Sequence, residues 1–204
     1  PADLEVGPGE ATFEWIEEGA SADVSAAAAS QDGEVVVGSE HGDAGTSWWR
    51  WTREGGREVV GAGSPYGVSS DGSVVLAGVG FGTPAGPGQF IWSAISGPMP
   101  VPAVPGSQAW EAYAISGDGQ ALVGLEGLDP LALRAVRWRA GGAELLPNLA
   151  GSASCYAKVA SRDGSVAVGT SSMTGSGSGS RRTSAGAASS RTGESRSGRG
   201  GTGT

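Results

Sequence analysis

Apolar and polar positions alternate along this chain in short bursts, never in long stripes. "AAAAS", "YGVS", "YAIS" and "KVAS" each lead towards an Asp-Gly pair, and a valine-rich run follows each one: "EVVVG" at 34–38, "SVVLAG" at 73–78, "QALVG" at 120–124 and "SVAVG" at 165–169. Bursts of this length with a period near two read as strands. An Asp-Gly pair between two of them predicts a two-residue hairpin turn, since glycine accepts positive φ and aspartate tolerates it through local hydrogen bonds. The turn residues are Asp32 and Gly33, Asp71 and Gly72, Asp118 and Gly119, and Asp163 and Gly164. Two residues ahead of each aspartate stands Ser30, Ser69, Ser116 or Ser161, placed to hydrogen-bond across the turn.

A second phrase recurs between these hairpins. An apolar residue, a spacer and a tryptophan occur as "FEW" at 13–15, "WRW" at 49–51, "FIW" at 90–92 and "VRW" at 136–138. Residues two apart share a strand face, so Trp15, Trp51, Trp92 and Trp138 are the predicted structural core. Turn signals then follow ("EEG", "REGG", "AISG", "RAGG"), with short segments such as "EVV" and "AELL" beyond some of them, which is hairpin chemistry again. Each repeat therefore encodes about four short antiparallel strands.

Spacing turns these strands into an architecture. The turn aspartates are 39, 47 and 45 residues apart, and constant phrases with variable spacing put the insertions in loops. Four strands in roughly 40 residues is the unit of a β-propeller blade. The expected fold is all-β: a propeller-like array of about four four-stranded antiparallel blades, over residues 11–45, 46–86, 87–132 and 133–170, after a lead-in at 1–10. Four blades are few for a closed ring. An incomplete propeller, with end surfaces that favour self-association, is among the expected outcomes.

Charge separates the body from its tail. Residues 1–170 carry 20 acidic and 8 basic side chains, while 171–204 carry five arginines and only Glu194. The acidic body should repel nucleic acid and anionic membranes. Beyond Val168 there is no Val, Ile, Leu, Phe, Tyr or Trp. A segment of Gly, Ser and Arg cannot offset its ordering entropy by burial, so 171–204 is expected to be a disordered tail. No apolar run is long enough for a membrane helix, and the chain begins "PADLEVGPGE", without a charged-then-apolar signal region. The expectation is that the native start is missing or already processed.

Candidate chemistry is sparse. The four turn aspartates lack the oxygen-ligand series of a calcium loop, and no metal or cofactor is expected. His41, the single histidine, sits in a polar glycine-rich loop, and Cys155 has no partner for an internal disulfide. Neither recurs. Trp48 and Trp110 lie outside the repeated phrase and are the candidate ligand-binding aromatics, on which a sugar or partner chain could stack. The alternative is that both cover the core beneath long loops. Tyr66 and Tyr113 each precede a turn aspartate by five residues and read as structural.

The order A-x-x-V-S-x-D-G-x-x-V-V-G, then apolar-x-W-T, then Gly-Gly and a Leu or Val pair, resembles the HAF repeat of bacterial extracellular and autotransporter-associated proteins. Residues 11–170 carry the resemblance, most closely in "WRWTREGGREVV" followed by "YGVSSDGSVVLAG". It departs at "FIWSAISGPMP", which lacks the Gly-Gly, and at Lys158, which replaces an aromatic. The resemblance implies a secreted or cell-surface β-repeat protein without an established reaction. Two classes of function follow: a non-enzymatic module for structure, adhesion or binding of a surface protein or glycan through its loops, and a carbohydrate-binding or glycoside-active propeller. The second calls for aromatics and carboxylates gathered on one surface.

Overall fold

Small-residue runs and valine-rich runs pair as antiparallel strands in the computed structural model, which describes residues 23–80, 82, 86, 88–127 and 132–172, with the backbone of 173 and 183–189. The first sheet holds β1 (Asp23–Ala29), β2 (Val35–Gly42), β3 (Gly45–Thr52) and β4 (Gly56–Ala62). β5 (Ser64–Val68), β6 (Val74–Gly78), β7 (Gln89–Ser93) and β8 (Gly97–Pro100) form the second. The third is β9 (Ala109–Ile115), β10 (Leu122–Gly127), β11 (Leu133–Arg139) and β12 (Gly142–Leu145). The fourth has β13 (Ser152–Ala160), β14 (Val166–Met173) and β15 (Thr183–Ser189). Strands pair in chain order within each sheet, and no helix occurs among the described residues.

The sheets are phased differently from the repeats read in the sequence. Each begins on the strand before Asp-Gly, and the first three take the tryptophan strand third, because β2 turns back into β3 within Gly42–Gly45 and consecutive strands pair. The phrase at 13–15, and with it Trp15, lies outside the described residues. So does most of the tail expected at 171–204, although 171–173 complete β14 and the backbone of 183–189 pairs along β14.

One irregularity recurs in every sheet. The first strand bulges beside the second, with Ala27, Tyr66, Tyr113 and Lys158 as the extra residues. Opposite the bulge the second strand carries Gly38, Gly124 and Gly169, with Ala77 in the second sheet. A Cβ on Gly124 would lie 1.9 Å from the Glu111 carbonyl oxygen, and one on Gly169 equally close to that of Tyr156. This is why these valine runs end on glycine.

Alternation within each strand gives every sheet two packing faces. Val35, Val37 and Trp48 of the first sheet meet Val75, Ala77, Phe90 and Trp92 of the second. Leu76, Val101 and Val104 meet Trp110, Leu122, Val136 and Trp138, and Val123, Ala135 and Leu146 meet Cys155, Ala157 and Ala167. The sheets thus stack in chain order, chiefly through their first strands β1, β5, β9 and β13, which line the inner side of the array. Among the described residues no strand of the first sheet pairs with the fourth.

Polar groups clamp the same interfaces. The Gln89 side-chain amide donates to the Ala112 carbonyl at 2.9 Å and accepts from its N–H at 2.6 Å, acting as a short piece of extra strand. Arg137, 4% exposed, reaches from β11 to the Gly164 carbonyl at 3.1 Å and to Glu144 at 2.7 Å.

The tryptophans divide otherwise than expected. Trp48 and Trp110, the candidate ligand residues, are 1% and 3% exposed. In the Trp48-Trp49 doublet alternation sends Trp48 to the second sheet, where its ring lies 5.5 Å from Trp92 and 6.4 Å from Phe90. Trp110 packs on the backbone of Gly82 between the second and third sheets. Of the predicted core, Trp138 is buried, while Trp51 and Trp92 are half-buried.

Candidate functional site

Four turns of the same construction gather at one end of the array. Ser30 N–H donates to the Val35 carbonyl at 2.8 Å, and Gly33 N–H to the Ser30 carbonyl at 3.1 Å, so the loop is four residues long, not two. Only the glycine takes positive φ: 74° at Gly33, 72° at Gly72, 71° at Gly119 and 63° at Gly164. The aspartate keeps an ordinary backbone because its role is chemical. Ser30 Oγ accepts from Val35 N–H at 2.9 Å and donates to Asp32 Oδ1 at 2.6 Å, and that oxygen also accepts from Glu34 N–H at 3.1 Å.

The other three turns repeat this relay. Ser69, Ser116 and Ser161 donate to Asp71, Asp118 and Asp163 at 2.7, 2.6 and 2.7 Å. The same hydroxyls accept from Val74, Ala121 and Val166 N–H at 3.0, 2.9 and 3.0 Å. Donors aimed at a carboxylate favour its ionised form. The serine hydroxyl, followed by the backbone N–H, holds Asp71 down at about 2 and lowers Asp32, Asp118 and Asp163 as well. These aspartates are fixed anions engaged by their own turns.

Backbone bonds tie neighbouring turns together. Gln31 N–H donates to the Ser70 carbonyl at 2.9 Å, Ser70 N–H to Gly117 at 2.8 Å, and Asp118 N–H to Arg162 at 2.8 Å. The result is an open cavity of about 620 Å³ to which every sheet contributes: Gln31 and Asp32, Ser70 and Asp71, Gly117 and Asp118, and Arg162. Such a surface can receive a polar ligand of net positive charge. Among the described residues, no group of three or more His, Cys, Asp or Glu side chains is placed to hold a metal ion.

A second group of side chains lies along the inner strands, away from the turns. Tyr66 and Tyr113 occupy bulge positions on β5 and β9, and Tyr156 lies on β13 two residues before the bulged Lys158. The Tyr113 and Tyr156 rings meet edge to face at 6.1 Å, and Lys158 Nζ stands 5.4 Å from the Tyr156 ring centre. Glu111 hydrogen-bonds Tyr113, and burial raises the Glu111 carboxyl. Burial and the Glu111 charge push both Tyr113 and Tyr66 up. Equivalent sequence positions made Tyr66 and Tyr113 read as structural. Tyr66 does pack against the buried cluster between the second and third sheets, and the bulges add that both tyrosines are the extra residues of their strands.

His41 accepts or donates one hydrogen bond, 2.8 Å from Nδ1 to the Thr46 hydroxyl, while Glu40 pairs with Arg57. Cys155 is buried, with Sγ 3.4 Å from the Ser171 hydroxyl. Neither reaches the turn cavity.

No protein-family model and no curated protein matches the sequence. Among solved structures the chain is similar to TolB from Acinetobacter baumannii, with a TM-score of 0.56 and 16% identity over 80% of this chain and 41% of that one. It is similar also to a putative TolB from Agrobacterium tumefaciens, with a TM-score of 0.53 and 18% identity over 82% of this chain and 61% of that one. The chain therefore spans less than two thirds of either protein. At such identities the likeness speaks for fold alone: the chain is an all-β, propeller-like array of consecutive antiparallel sheets.

Proposed function

We propose that this chain is a non-enzymatic binding module, working at the cell surface or outside the cell, whose turn end receives a partner. The observation that carries this reading is the cavity shared by all four sheets, its walls set by hydrogen-bonded turns. Rigid turns on a sheet scaffold give a surface that needs little ordering on binding. Their fixed carboxylates favour a basic segment of a surface protein. Similarity of the repeated phrases to the HAF repeat supports the extracellular setting. The direct test is titration with a labelled Lys-Arg peptide at low and physiological salt. The reading predicts saturable, salt-sensitive binding that weakens about tenfold in the Asp71→Asn, Asp118→Asn double variant, as losing two steering and pairing charges would produce. Binding indifferent to that change would contradict it.

Self-association is a second reading, favoured by the end sheets. Val159 and Val168 are cross-strand neighbours, 58% and 41% exposed, on the face of the fourth sheet turned away from the third. The first sheet turns the half-buried Trp51 away from the second. A second copy laid end to end would join two such faces in the way adjacent sheets already pack. Light scattering across a concentration series reads this out, and a monomer at all concentrations would exclude it.

A further inference from the structure

We infer that the inner face of the first strands is a binding site for a neutral sugar ring, with Tyr66, Tyr113 and Tyr156 as its stacking surface and Glu111 and Lys158 as its polar contacts. The inference rests on the reading of the chain as a binding module and names a ligand class for a place distinct from the turn cavity. Three adjacent sheets each present one tyrosine here, because the bulges on β5 and β9 and the neighbouring position on β13 bring them to the array's inner side. All three are half-buried, and Tyr66 is held in place by packing against the buried cluster between the second and third sheets.

Charge selects among ring-shaped ligands. An anion would face Glu111 within an acidic body, and an organic cation would face the like charge of Lys158, whose Nζ stands 5.4 Å from the Tyr156 ring centre. A pyranose carries no charge. Its axial C–H face stacks on tyrosine, and its hydroxyls donate to a carboxylate and accept from an ammonium. Tyrosine gives this contact area at a low entropy cost, having few rotatable bonds. Glu111 is held towards the cluster by its hydrogen bond with Tyr113, so carboxylate and ring are presented together.

The experiment is calorimetric titration of the full chain with cellotetraose, laminaritetraose, maltotetraose and chitotetraose, and with tetramethylammonium as the cationic counterpart. At least one tetrasaccharide is expected to bind saturably. Tyr113→Ala should weaken it about tenfold, as truncating a central aromatic contact does, and Glu111→Gln about fivefold. Tyr113→Phe keeps the ring and the packing, so it should stay within about threefold and separate lost stacking from lost folding. The Asp71→Asn, Asp118→Asn variant should bind sugar unchanged. Absence of sugar binding by the folded protein, preference for tetramethylammonium, or sugar binding that Tyr113→Ala leaves intact would overturn the inference. If the basic peptide binds at the turns while no sugar binds, this inference falls and the binding-module reading stands.

Discussion

The four Ser-x-Asp-Gly turns share one hydrogen-bond pattern, to which Ser73 and Ser165 add a further donor in two of them, whereas the four bulge positions one half-strand away do not share one side chain. At the turns the same three hydrogen bonds recur with lengths that agree within a few tenths of an ångström. The bulges carry Ala27, Tyr66, Tyr113 and Lys158. The bulges lie on the inner strands and the turns directly follow them, and each set recurs with the same backbone geometry, so the fold does not demand this divergence. Repetition marks what builds a sheet, and departure from repetition at a repeated geometry marks where the molecule can be particular.

The largest effect that would sharpen this contrast is expected at the sheet interfaces. Trp48→Ala empties the contact with Phe90 and Trp92 and should lose about 3–5 kcal/mol in urea unfolding, the range for truncating a buried aromatic. Gly124→Ala should cost about 1–3 kcal/mol through overpacking, because the new methyl meets the Glu111 carbonyl and the bulge must shift. A smaller loss, about 1–2 kcal/mol, is expected for Ser116→Ala, which strands the Ala121 N–H and removes a donor from Asp118. At the far end of the scale Ile95→Ser, at a residue 99% exposed, should move stability by less than about 0.5 kcal/mol. An Ile95 effect comparable to Ser116 would break the distinction between repeated and incidental positions.

Acid offers a test that acts on all four turns together. The Asp71 carboxyl falls from an ordinary 3.8 to about 2 in the folded protein, and its three counterparts shift the same way. Between those values the unfolded chain binds more protons than the folded one, so stability rises with pH there. The turn contribution is fully present above about pH 4 and is lost as pH falls towards 2. Urea midpoints measured from pH 6 to pH 2 should follow this curve, and Asp71→Asn should flatten part of it.

Much of this fold was legible in the residues. Asp-Gly between alternating runs announced the hairpins, and the tryptophan phrase announced a further strand in each repeat. The turn itself was misread as a two-residue loop, since the sequence does not reveal that a serine hydroxyl replaces a ladder bond and lengthens it to four. Phase was also hidden, because a tandem repeat can be cut anywhere and only strand pairing chooses the cut. Trp48 and Trp110 fall outside the repeated phrase, which left a ligand role and core cover both open for them, and the structure gives the second. Burial depends on which face meets a neighbouring sheet, and periodicity within one strand does not say that. Tyr66 and Tyr113 read as structural because their equivalent spacing resembled architecture, and Tyr156 was not singled out because it stands outside that spacing.

The central claim, that repeated residues build and divergent inner residues bind, is tested most directly by measuring stability and tetrasaccharide affinity on the same two variants, Ser116→Ala and Tyr113→Phe/Glu111→Gln. The account predicts that Ser116→Ala unfolds at lower urea with sugar affinity preserved, and that the inner double variant keeps its urea midpoint while affinity falls. If affinity follows stability in both proteins, or if the inner variant loses stability and keeps its affinity, the division between building and binding positions is wrong.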